Sequence, residues 1–174
     1  MELGAGVGIP GLFAAKSSAK SVTLTEFGLD GDVDGVILED NEDKRLLPSA
    51  LLSNLSYNVD INGLNDKVTV QHLDWYDYCT PNKSATNNDY DLIIGSDLVN
   101  WEDDVIPLIE TLKHFSRHAE ALIALSGENR RALPDFLDLI KKEFGVVDVL
   151  DASLVHFDEH PILIIRLKDP LNVT

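Results

Sequence analysis

The chain has 174 residues, 44% of them hydrophobic and 25% charged, enough for one domain with a full core and too few to expect two. A formal net charge of -16 repels phosphate backbones and anionic lipid, which argues against nucleic acid and membrane surfaces as partners and favours basic peptides or basic protein surfaces. A single cysteine, Cys79, leaves no intramolecular disulfide, and no signal-peptide pattern or long apolar span marks secretion or a membrane, so a cytosolic protein fits best, with the nucleus open.

The first strand is only Met1 to Leu3, and it runs straight into the glycines of ELGAGVGIPG at 2–11. Pro10 to Ala19 is small and apolar enough for a short helix, with Pro10 suited to a first turn, and SVTLT at 21–25 is rich in β-branched residues, as a strand requires. Leu46 to Asn62 places Leu47, Leu51, Leu52, Leu55 and Val59 at helical spacing, and KVTVQHL at 67–73 reads as the next strand. YDLIIGSDLV at 90–99 is a nearly unbroken apolar run ending in polar residues. Val105 to His114 is helical, with Ile106, Ile109 and Leu112 to Lys113 on successive turns. AEALIALS at 119–126 is a further buried strand, Leu133 to Phe144 an amphipathic helix, and VVDVL at 146–150 and PILIIRL at 161–167 are the last two strands. Strands apolar on both faces and separated by helices predict an α/β fold with a mostly parallel sheet covered on both sides. The last two strands lack a helix between them, which predicts an antiparallel C-terminal pair at one edge.

Two segments interrupt this alternation. Asn82 to Asn88 is a polar loop. Gly28 to Arg45 sets Asp30, Asp32, Asp34 and Gly35 where a calcium-binding EF-hand loop has ligands and its turn glycine, but Asn41 stands where the bidentate glutamate belongs and a strand precedes the loop in place of a helix. A solvated acidic insertion at 28–45 is the favoured reading.

In a parallel sheet, ligands bind at the carboxyl ends of the strands, and a glycine-rich turn lets the backbone come close to them. Gly6, Gly8 and Gly11 fit the dinucleotide spacing G-x-G-x-x-G, while Glu2, Gly4, Gly6 and Gly8 fit the E-x-G-x-G-x-G loop of S-adenosylmethionine-dependent methyltransferases. Either reading asks for an acid at the end of the second strand to hold ribose hydroxyls, and Glu26 stands there. The glycines alone leave both open.

The series ELGAGVGIPGLFAA, VTLTE, LLSNLSYNVDINGL, VTVQHLDWYD and YDLIIGSDLV, in that order, resembles the seven-strand protein-lysine methyltransferases, the group that modifies elongation factors and chaperones. The resemblance runs from residue 1 to about 113. It implies a Rossmann-like class I fold, S-adenosyl-L-methionine as cofactor, no metal, and a lysine side chain of a basic protein as substrate. It implies that Gly4, Gly6 and Gly8 cradle the methionine part of the cofactor, with Glu2 near its amino group and Glu26 on both ribose hydroxyls. Asp74 and Trp75 are implied to flank the adenine, and Asp97 to stand where sulfonium and amine meet; Asn100, three positions on, is a candidate acceptor for the amine by its own chemistry.

Each role has a plainer rival: Trp75 as a core aromatic, Asp97 as a helix cap, Glu26 as one more loop charge. The family's aromatic residue three positions after the acid of the fourth strand is replaced by Asn100, followed by Trp101. That departure keeps open a methyltransferase acting on a small molecule or another side chain, and a non-catalytic module of the same fold. Nucleic-acid methylation is disfavoured by charge and by SDLVN standing where an N-P-P-Y-like motif would be. Relatives carry an N-terminal segment that completes the first strand, so the chain as given is expected to be marginally stable and a poor enzyme, since unpaired buried backbone groups cost about 1–3 kcal/mol each.

Overall fold

Gly8 opens the first helix because its backbone is left-handed there (φ 82°), and Pro10 in the first turn gives up an amide that a helix start leaves unpaired anyway. A computed structural model describes residues 1–27, 48–80, 90–126, 131–150 and 162–171. The acidic stretch 28–45, with its calcium-loop pattern, and the polar loop 82–88 lie outside the described residues. Contacts gather into two compact units, Glu2–Asp74 and Trp75–Thr174, with Met1 belonging to the second.

The first unit runs β1 (Glu2–Leu3), α1 (Ile9–Ser17), β2 (Val22–Glu26), α2 (Pro48–Ile61) and β3 (Val68–His72). Its strands lie in the order β3-β2-β1 and are parallel, with Glu2 opposite Leu24, and Val22 to Glu26 opposite Val68 to His72. Helix α1 ends two residues short of its predicted limit because the amides of Ser18 and Ala19 both turn onto the Ala14 carbonyl. Helix α2 stops at the Asn62-Gly63 pair, where Gly63 takes the left-handed conformation (φ 64°). Leu12 and Ala15 of α1, Leu55 and Val59 of α2, and Val22, Leu24 and Val68 of the strands form one buried cluster. Each such aliphatic side chain contributes about 1.5–3 kcal/mol on full burial.

The second unit contains β4 (Leu92–Ser96), α3 (Val105–Phe115), β5 (Glu120–Ser126), α4 (Leu133–Glu143), β6 (Phe144–Leu150) and β7 (Ile162–Pro170). Two short 3-10 turns, Trp75–Cys79 and Glu102–Asp104, are additions that periodicity did not predict. The strand order is β4-β5-β7-β6. Strands β4 and β5 are parallel, while β7 is antiparallel to both β5 and β6, which gives the predicted C-terminal pair with β6 at the edge. Met1 lies beside β4: its amino group donates to the Leu92 carbonyl at 2.8 Å, and its own carbonyl accepts the Ile94 amide at 2.8 Å. Seven strands are thus described, mostly parallel, in an α/β arrangement.

Helix α3 departs in one respect from its sequence pattern. Val105, Leu108, Ile109, Leu112 and Phe115 form the buried face, and Ile106, expected to share it, is exposed. Lys113, on the same expected stripe, is buried, held by Glu110 at 3.1 Å and Glu143 at 2.8 Å.

Candidate functional site

In the first unit the glycine turn hangs from the carboxyl end of β2. The Ala5 amide donates to the Thr25 carbonyl at 2.9 Å, and the Thr25 hydroxyl, fully buried, donates to the Glu2 carbonyl at 2.7 Å. Gly4, Gly6 and Gly8 all have left-handed backbones, with φ of 54°, 55° and 82°, which side chains other than glycine rarely tolerate. A β-carbon at Gly6 would meet nothing within 4 Å, so the turn has open space on that side. At Gly8 it would instead come within 2.6 Å of the Leu55 side chain.

Glu26 is tied to this turn. Its Oε2 accepts the Gly6 amide at 2.6 Å and its Oε1 accepts the Phe27 amide at 2.8 Å. The acid from the end of β2 and the middle glycine of the turn therefore lie within one hydrogen bond of each other. His72, opposite Glu26 in β3, has a buried Nε2 with no hydrogen-bond partner among the described residues, and its ring is tilted against that of Phe27 with centroids 6.1 Å apart.

Glu2 is placed differently from an exposed ligand group. It is 1% exposed, and its Oε2 accepts the Gly11 amide at 2.9 Å, so it braces the first turn of α1 from beneath. Burial raises its pKa to about 7; the Gly11 amide and the chain's amino terminus pull it down, and Glu26 pushes it up. Gly11 is required here by close approach, because a β-carbon would sit 2.2 Å from Leu24 and 2.5 Å from Glu2. The sequence singled out Gly11 only for its spacing; its packing against Glu2 has no sequence signal. Asp74, half-buried, ends this unit, just after the Leu73 amide has bonded to the Glu26 carbonyl at 3.0 Å.

In the second unit, Trp75 begins the 3-10 turn, half-buried, and its carbonyl accepts the Thr111 hydroxyl at 3.4 Å. Asp97 follows β4 with φ 60°, an unusual backbone for a residue with a side chain. Its amide donates to the Ala124 carbonyl at 2.7 Å and its Oδ1 accepts the Ser126 amide at 3.3 Å, both from β5. Asn100 donates from Nδ2 to the Asp97 carbonyl at 3.2 Å. Asp97 and Asn100 thus form one constellation, both exposed, and strain of this kind collects at functional positions. Ser126 and Ala124, which fix Asp97, were not legible as site residues because their contribution is made by the backbone.

The family model that describes lysine methyltransferases matches residues 1–143. This chain belongs to the lysine methyltransferase family. Within that family it is 29% identical over 150 residues to a Xenopus tropicalis protein named Protein N-lysine methyltransferase METTL21A, covering 86% of this chain and 58% of that protein. The mouse protein of the same name is 27% identical over 158 residues, covering 91% of this chain and 60% of that one. The chain therefore spans about three-fifths of the length of the curated relatives it matches. Solved structures agree on the fold. A TehB-like SAM-dependent methyltransferase from Corynebacterium glutamicum superposes with a TM-score of 0.61 at 15% identity over 95% of this chain and 77% of its own. The delta-N METTL16 MTase domain also gives 0.61 at 15% identity, over 96% of this chain and 71% of its own. The fold is that of the Rossmann-like class I methyltransferases.

Proposed function

We propose that this chain is the S-adenosyl-L-methionine-binding catalytic domain of a protein-lysine N-methyltransferase. The observation that carries the cofactor part is the hydrogen bond from Gly6 to Glu26. It holds a carboxylate suited to a ribose diol beside a glycine-rich turn with open space at Gly6. These residues fit S-adenosylmethionine, and the family membership and the relatives named as lysine methyltransferases support a lysine as the group modified.

In this reading Gly4, Gly6 and Gly8 accommodate the methionine part and Glu26 the ribose hydroxyls. Asp74 and Trp75 take the adenine, and Glu2 keeps the turn and α1 in register from below. The cofactor, when bound, supplies an electrophilic methyl group on a sulfonium. The protein's task is to present a neutral amine, which for a lysine of ordinary pKa costs about 4 kcal/mol at neutral pH. Asp97 and Asn100 orient that amine through hydrogen bonds, the lysine proton leaving to solvent, and positioning provides most of the remaining advantage. The negative charge of the chain suits a basic protein substrate and a cytosolic or nuclear setting, and disfavours nucleic acid. Among the described residues no helix is long and apolar enough to cross a membrane.

Calorimetric titration with S-adenosylhomocysteine, with Gly6→Arg as control, tests the cofactor assignment. Binding by the wild type that the control abolishes is expected; equal binding by both contradicts the assignment. A second reading, transfer to a small molecule or another protein side chain, is favoured by Asn100 standing where the family resemblance implies an aromatic residue. It is distinguished by which molecule in a mixture of metabolites and proteins acquires a labelled methyl group.

A further inference from the structure

The segment between β4 and α3 exposes apolar surface that folding gives no reason to expose. Trp101 is 73% exposed and Ile106, in the first turn of α3, 61%, while Leu98 and Val99 of the segment and Val105 at the start of α3 are buried. The display is built. Trp101 has an extended backbone, its carbonyl accepts the Asp104 amide at 3.2 Å, and the Tyr76 hydroxyl donates to Asp104 Oδ1 at 3.0 Å, pinning the 3-10 turn that follows. Glu102 and Asp103, the two residues that follow Trp101 in the chain, are exposed as well. Its chain neighbour Asn100 is bonded to Asp97, so Trp101 directly follows the residues assigned to the amine.

An indole face with carboxylates around it attracts cations, and a planar guanidinium best of all. An uncharged apolar partner would strip water from those carboxylates without replacing it, and a polyphosphate would be repelled. The occupant with matching chemistry is therefore a basic peptide segment. We propose that Trp101 and Ile106, rimmed by Glu102 and Asp103, dock the residues flanking the target lysine, and that an arginine or lysine of that segment stacks on Trp101. The proposal rests on the lysine-transferase reading above and assigns its substrate recognition.

The test uses two fluorescein-labelled peptides, GRGKGRG and GEGKGEG, titrated with the chain in the presence of S-adenosylhomocysteine and followed by anisotropy. The wild type is expected to bind the arginine peptide in preference to the glutamate peptide. Loss of the ring in Trp101→Ala is expected to weaken binding by about tenfold, with Trp101→Phe restoring part of it. Glu102→Gln with Asp103→Asn is expected to weaken only the arginine peptide and to reduce its salt dependence. No binding by the wild type, no preference between the peptides, or unchanged binding in both variants would overturn the docking surface. Methyl transfer to the same lysine, measured separately with S-adenosylmethionine, keeps the two readings apart. Binding that depends on Trp101 without transfer would contradict the transferase and support the surface, and transfer indifferent to Trp101 would do the reverse.

Discussion

The carboxyl of Glu2 is buried against Gly11, and burial lifts its pKa from 4.5 to about 7. A group that binds its proton more tightly when folded contributes most below its unfolded pKa and loses that contribution as pH rises through the folded one, at about 1.4 kcal/mol per unit. Glu2→Gln keeps an acceptor for the Gly11 amide and removes the titration. Its stability relative to wild type should rise between pH 5 and 8 in urea unfolding; parallel profiles would mean that Glu2 is ionised throughout. The glycines separate in the same assay. Gly8→Ala forces a β-carbon against Leu55 at φ 82° and should cost about 2–3 kcal/mol. Gly6→Ala meets open space, so only backbone strain of about 1 kcal/mol is expected, with the larger effect on cofactor affinity. Asp97→Asn retains a residue type that tolerates the left-handed backbone and an oxygen for the Ser126 amide. Stability should stay within about 0.5 kcal/mol while methyl transfer falls about a hundredfold, if the carboxylate rather than its geometry matters.

Among the elements, the seven strands and four helices were legible because their signals are strong: β-branched runs such as VTLTE and KVTVQ, and apolar spacing such as Leu51, Leu55 and Val59. Boundaries moved where tertiary contacts decide them. Phe144, read as the end of a helix, begins β6 because its ring is buried while the backbone extends directly from α4. On α3 Ile106 leaves the expected stripe for the surface while Lys113 keeps its buried place on it, since Glu110 and Glu143 neutralise the buried ammonium and periodicity cannot foresee partners 3 and 30 residues away. Burial would lower the pKa of Lys113, but those two carboxylates outweigh it and hold it above its usual value. Lys113→Met leaves both glutamates without their cation and should destabilise the chain by about 2 kcal/mol; a change below a few tenths would mean the pair is structurally idle. In the site, the glycines and Glu26 were readable from spacing, whereas the bracing by Thr25, Gly11 and Ser126 was not. Those contributions lie in backbone groups and close approach, which leave no residue-type signature.

At the scale of the molecule, 30 acidic against 14 basic residues support the proposal of a basic protein substrate over a nucleic acid. The family match over residues 1–143, the Glu26–Gly6 link and the Asp97–Asn100 constellation all bear on one claim, that this chain moves a methyl group to a lysine. The most direct measurement is to incubate it with deuterated-methyl S-adenosylmethionine and a pool of basic lysine-containing proteins, and to locate the label by tandem mass spectrometry. The account predicts labelled methyl on lysine side chains, absent with Gly6→Arg and strongly reduced with Asp97→Asn. Label found only on other residues or on small molecules, or label on lysine that survives both substitutions, would contradict it.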